Sequence, residues 1–264
     1  SAASAITFGS GTWTISGSWT NASTYAVGWG SGSAQIVFDS STAQTMTFAG
    51  ANLAETEFDR VRFASTAAGS ITFTMATRGL NIGGLLAMNS DTVLDKATFT
   101  VDAAGGLTIG DSGASALVST SGAVTITGNV SIANATSYID LGSESWTVTG
   151  AWTNVTTSAS WDAGTGTVTF NSSTAATVAF AGANLAEAEF SNVTFNSSAA
   201  GSITFTMATR GLSWSGTLTI SGDTILAKAT FTLGAEASGA LTVGGAGTNA
   251  LTSTSGAVTV TTVS

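Results

Sequence analysis

Apolar and polar residues alternate in bursts of five or six along the whole chain, with Gly, Ser and Asn between the bursts. In Ile71-Thr72-Phe73-Thr74-Met75 every second residue is apolar, and most are β-branched or aromatic. That is the pattern of a strand with one buried and one open face. Gly69 and Gly79 bracket the run as turn residues. It lies within AAGSITFTMATRGL, which occurs at residues 67–80 and again, unchanged, at 199–212, an offset of 132 in a chain of 264. Helical periodicity is weak, with at best single turns at 52–58 and 184–190. The pattern predicts an all-β protein built from repeats.

The long repeat divides the chain into a copy at 1–134 and a copy at 135–264, continuous with each other. AGANLAETEF at 49–58 returns as AGANLAEAEF at 181–190, and GTWTISGSWTN at 11–21 as ESWTVTGAWTN at 144–154. A shorter period runs inside each copy. VTFNSSTAATVAF begins at Val168 and VTFNSSAAGSITF at Val193, an offset of 25. Aromatics recur at or near the same step in Phe38/Phe63, Phe48/Phe73/Phe99, Phe170/Phe195 and Phe180/Phe205/Phe231, and Trp13 precedes Phe38 by 25. Three short strands and their turns fill such a step, which predicts a right-handed parallel β-helix of about five coils per copy, its aromatics stacked in inward ladders about 4.8 Å apart. Trp13, Trp19, Tyr25 and Trp29 fall on strands within residues 1–33, the opening of the first copy. The competing reading is two tandem β-sandwich domains, since a copy of this length would also suit an Ig-like fold.

Composition narrows this further. Hydrophobic residues make up 43% of the chain and charged ones only 8%, with 32 glycines and no proline. Such a chain is foldable, and the missing proline fits a backbone whose N–H groups nearly all join ladders. Without histidine or cysteine, Ser–His–Asp and Cys–His sites and the usual zinc sites are excluded. No cofactor is expected, and the chain is read as a non-enzyme. The net charge of −9 argues against nucleic acid, and no apolar run is long enough for a membrane span. The opening SAASAITF has no basic region or apolar core, so any signal peptide is expected to be gone already.

The remaining candidate chemistry is thin. Glu55/Glu57 and Glu187/Glu189 would put paired carboxylates on one strand face, which suits a glycosidase or a calcium ligand set, but a solvated acidic patch explains them as well. Arg78/Arg210, Asp91/Asp223 and Lys96/Lys228 are shared by both copies and read as a repeated surface salt-bridge set. Glycines at 110–113 and 244–247 lack the following helix and lysine of a phosphate loop. Sequons occur at Asn21, Asn129, Asn134, Asn154, Asn171, Asn192 and Asn196, candidates for glycosylation in a surface protein. Thr-x-Thr strings such as Thr72/Thr74, Thr98/Thr100 and Thr125/Thr127 are the residue type of ice-binding solenoids, at irregular spacing.

The ends carry the sharpest expectation. Ile6 aligns with Ile139 and Trp13 with Trp146, while the closing TVTTVS aligns with the stretch at 125–131. Both ends therefore read as interior cross-sections without a polar cap, either because the chain is a piece of a longer one or because molecules stack head to tail. The coil at 257–264 would then pair with residues 4–13 of the next subunit. Ile6, Phe8, Trp13, Val258, Val260 and Val263 form the candidate assembly interface.

The strings VTFNSSTAATVAF, EFSNVTFNSSAAGSITF and GTLTISGDTILAKATFTL resemble the Ser/Thr/Gly-rich β-strand repeats of giant prokaryotic surface proteins. These include filamentous-haemagglutinin-like adhesins and autotransporter-type passenger regions. The resemblance implies a right-handed parallel β-helix, an extracellular or cell-surface location, and a role in adhesion or surface structure. On that footing the chain is expected to be a filament or sheath subunit partnered by itself. An adhesin shaft binding glycans is the alternative, with a polysaccharide-cleaving β-helix or an ice-binding solenoid behind it.

Overall fold

The computed structural model describes residues 6–21, 30–48, 56–180, 188–235 and 239–263, and only the main chain of Phe48 and Phe180. Tyr25, Trp29 and the stretches 52–55 and 184–187 lie outside the described residues. Phe58 and Phe190, at the edges of the proposed helical turns, instead form parallel bridges with Ile82 and Trp214.

The described residues form short strands and no helix, and the strand pairings are parallel. The chain is a β-solenoid with three faces, and the sandwich reading is excluded because its ladders would be antiparallel. The first face is a sheet of 11 strands running from Thr12–Ile15 to Ala250–Thr252. The third is a sheet of nine, from Leu80–Ile82 to Thr262–Val263. The second holds six strands from Trp19–Asn21 to Tyr138–Ile139, then three more, Leu212–Trp214, Leu233–Ala235 and Val258–Thr259. Single bridges, Asp140–Asp162 and Phe190–Trp214, join other turns on that face. With rungs about 4.8 Å apart, the first face is about 48 Å long.

Each turn goes round all three faces. On the third face Leu80, Val101, Val124, Trp146, Val168, Val193, Leu218 and Leu241 are partners in register on successive turns, and a turn takes about 23 residues. The step of 25 seen in the sequence belongs to the longer turns only. Where it is the true register, the expected ladders form: Phe38 stacks on Phe63 at 5.2 Å and Phe170 on Phe195 at 5.0 Å.

Elsewhere the spacing misleads. Phe73 is registered with Gln44 and Leu94, not with Phe48 and Phe99, and Phe205 with Ala176 and Leu226, not with Phe180 and Phe231. Trp13 pairs with Ile36, leaving Phe38 opposite Ile15. The corner loops absorb the difference: the turn from Gln44 to Phe73 is long, and the turn from Phe73 to Leu94 is short. The inward alternation survives this, because each strand still presents its apolar set to the core.

The sheets cross the boundary between the two copies without interruption. Leu117 pairs with Ile139, Val124 with Trp146 and Val130 with Trp152. The second copy is nevertheless one face out of step with the first. Arg60–Ser65 lies on the first face, but its counterpart Asn192–Ser197 lies on the third, five turns and two faces further along. Likewise Trp19–Asn21 is on the second face and its counterpart Trp152–Asn154 on the first.

Candidate functional site

Of the charged residues shared by the copies, Glu57, Glu189, Lys96 and Lys228 are buried and Arg78, Arg210, Asp91 and Asp223 are half-buried, which corrects both the acidic-patch and the surface-salt-bridge expectations. Glu57 accepts a hydrogen bond from Asn21 Nδ2 at 2.7 Å on Oε1 and is ion-paired to Arg78 through Oε2. Glu189 repeats this with Asn154 Nδ2 at 2.7 Å and Arg210, and its backbone carbonyl accepts from Trp161 Nε1 at 3.1 Å. Burial pushes the Glu189 carboxyl above the ordinary range, opposed by the Arg210 guanidinium and the Asn154 amide. Both oxygens of each carboxylate are held by protein donors, so these groups anchor one turn to the next. Glu55 and Glu187, the other halves of the acidic pairs, lie outside the described residues. The separation of Glu57 from Arg78 equals that of Glu189 from Arg210 and is close to one turn; that spacing is the signal that could have revealed the pairing.

Lys96 and Lys228 are also buried. Lys96 Nζ donates to the carbonyls of Phe99, Ser121 and Gly122 at 3.0, 2.7 and 2.7 Å, and meets Glu144 Oε1 at 3.1 Å. Burial lowers the Lys96 pKa, while the hydrogen bond and charge of Glu144 and the charge of Asp95 work the other way. Asp91 and Asp223 are not ion-paired among the described residues. Their Oδ1 atoms accept from the amides of Ala114 and Thr248 one turn on.

The sequons separate by burial. Asn21 and Asn154 are buried with their amides committed to Glu57 and Glu189, so the folded chain withholds them from a glycosyltransferase. Asn196 Nδ2 donates to Asn171 Oδ1 across adjacent turns, and Asn192 Oδ1 accepts from Thr217 N. Asn129 is exposed and Asn134 half-buried, each accepting a backbone amide on Oδ1.

At the ends, side chains that are inward-facing by register meet solvent. Ile6, Trp13, Val258 and Val263 are 37, 45, 41 and 67% exposed, whereas their counterparts Ile139, Trp146, Val124 and Val130 are at most 1% exposed. Phe8 is buried under the edge of Trp13, with ring centroids 5.2 Å apart, and Val260 is half-buried. No protein-family model, curated protein or solved structure matches the chain. Among the described residues no group of three or more acidic side chains could hold a metal ion, and no helix is long and apolar enough to cross a membrane.

Proposed function

We propose that the chain is a structural segment of an extracellular fibre, sheath or surface filament, lengthened by end-to-end stacking of solenoid turns. One observation carries this reading: inside the chain one copy of the repeat already stacks on the next, with parallel ladders running through the junction without interruption. The internal junction also supplies a register. Leu117 on Ile139, Val124 on Trp146, Ile126 on Val148 and Val130 on Trp152 translate into Leu251 on Ile6, Val258 on Trp13, Val260 on Ile15 and Val263 on Trp19. Open parallel edges supply main-chain donors and acceptors, and the few charges offer little repulsion. The test is electron microscopy and sedimentation of the 264-residue chain over a concentration series. Rods longer than one subunit are expected, shortened or abolished by Ile6→Lys and by Val258→Pro. Monomers that stay dispersed at high concentration would defeat the reading.

A second reading rests on the third face, where Thr125, Thr147, Thr169, Thr194, Thr219 and Thr242 point outward on six successive turns in register. The first copy has Val37, Arg62 and Ala87 where the second has Thr169, Thr194 and Thr219. Hydroxyls repeated about every 4.8 Å, in a row whose only charge in the adjoining turn is Asp102 beside Thr125, would order water as an ice-binding face does. Inhibition of ice recrystallisation that is lost in Thr169→Tyr/Thr194→Tyr would favour this function over a purely structural one.

A further inference from the structure

We infer that the water-ordering surface of the third face is two files wide: Asn171, Asn196 and Ser221 bind the ice lattice beside the threonine row, and the file on the other side of that row takes no part. The inference deepens the ice-binding reading and rests on it.

Side chains two apart on a strand point to the same side, about 6.6 Å from each other. Each turn therefore shows three outward positions on this face, with one file on either side of the threonine row. Thr167, Thr169 and Asn171 are the outward set of Thr167–Ser172, whose Val168 and Phe170 are buried. Asn192, Thr194 and Asn196 lie in register with them on the next turn. Thr217, Thr219 and Ser221 continue the three files. None of these residues is charged.

The files differ in where their polar groups are spent. In the central row the hydroxyls of Thr125, Thr147, Thr169, Thr194 and Thr219 have no hydrogen-bond partner among the described residues. Thr149 and Thr261, by contrast, donate theirs to the carbonyls of Thr127 and Gly239. In the first flanking file, Asn196 Nδ2 donates to Asn171 Oδ1 at 3.2 Å, and Ser221 Oγ reaches Asn196 Oδ1 at 3.5 Å. This ladder holds each amide in its own turn. It uses one of the two Asn196 amide protons and neither of those on Asn171, so the rest remain for a ligand. The other flanking file is interrupted. Asn192 Oδ1 accepts from Thr217 N at 3.0 Å, and its Nδ2 donates to the carbonyls of Thr165 and Gly166 at 3.3 and 3.2 Å. With Asn192 committed to the main chain, Thr167 and Thr217 stand two turns apart with no available group between them.

Ice is the occupant these groups suit. Its surface is neutral, repeats in two directions and presents donors and acceptors alike. A charged ligand finds no counter-ion in the two files, and Asp102 opposite Thr125 ends the uncharged run. A glycan site calls for aromatic lining, and the rings of these turns, Trp146, Phe170 and Phe195, are buried in the core. Side chains already held by ladders lose little rotamer freedom on binding, which favours a ligand gripped only by many weak bonds.

The experiment measures inhibition of ice recrystallisation by the 264-residue chain, with circular dichroism confirming that each variant folds. Asn171→Ala/Asn196→Ala is expected to need about tenfold more protein for the same inhibition, as the loss of one net hydrogen bond would give. Asn171→Asp, which keeps the shape and adds a charge, should weaken inhibition as well. Thr167→Ala/Thr217→Ala should behave as wild type. If Thr169→Tyr/Thr194→Tyr abolishes inhibition while the asparagine variants retain it, the inference is overturned and the ice-binding reading stands. An equal loss in Thr167→Ala/Thr217→Ala overturns it in the same way. A wild type without inhibition overturns both. Variants that change sedimentation but not recrystallisation would show that the face covers a second copy of the chain, which also overturns the inference.

Discussion

Phe170 touches four other rings: it stacks on Phe195 at 5.0 Å and meets Trp152, Phe190 and Phe205 with centroids 5.9 to 6.3 Å away. Truncating it removes buried area from every neighbour and opens a cavity the parallel ladders cannot collapse. Phe170→Ala is therefore expected to cost about 3–5 kcal/mol in denaturant unfolding. Trp13→Ala, at an exposed end, should change monomer stability far less while weakening assembly. Arg210→Ala would strand the fully buried Glu189 carboxylate, at a cost of about 3–5 kcal/mol that a second change, Glu189→Gln, should partly restore. The stacked Phe38/Phe63 and Phe170/Phe195 pairs were legible in the sequence because the step of 25 there is also the register. The Phe48/Phe73/Phe99 set was not, because corner loops lengthen one turn and shorten the next. The buried ions were hidden for a related reason: in a parallel solenoid, charges one or two turns apart become neighbours, and spacing shows that only when the turn length is known.

The strands were legible from alternation alone, since a period of two with β-branched residues leaves few other structures. The corners were not, because a corner is set by backbone conformation. At Gly164, φ is +60° and an added Cβ would overlap the Gly142 carbonyl oxygen of the preceding turn. Gly164→Ala should therefore destabilise by about 1 kcal/mol or more, read from the unfolding midpoint. Within a strand, Val193 lies between Val168 and Leu218 in the third-face sheet. Val193→Pro takes a donor from an interior ladder and should cost about 3 kcal/mol or more, whereas Val263→Pro at the edge should leave the fold intact.

The acid behaviour belongs to the whole molecule. Burial holds Asp102, Asp140 and Glu189 above the usual carboxylate range, and for Asp140 the nearby Asp162 and Glu144 add to the effect. A carboxyl whose folded pKa is raised binds its proton more tightly in the folded chain. Its contribution is fully present below the unfolded value, near about 4, and is lost as pH rises through the folded value. A net charge of −9 at neutral pH adds self-repulsion in the same direction. Thermal melts followed by circular dichroism should give a Tm at about pH 4.5 equal to or above that at about pH 7.5; a clear fall on acidification would contradict this. The continuity of the sheets across the junction near residue 134 predicts one cooperative transition for both copies, with no cleavage there in limited proteolysis of the folded chain.

The one-face offset between copies has a geometric consequence. Five turns and two faces make each copy a screw operation: about 27 Å of advance combined with two thirds of a revolution. Three copies restore the original azimuth after about 17 turns, or about 82 Å. A feature repeated in the sequence, such as the Asn–Glu–Arg cluster, thus traces a spiral and returns to the same side only at every third copy. A filament made this way has no front or back. Neighbouring rods could approach it from any of three directions and meet the same chemistry at different heights.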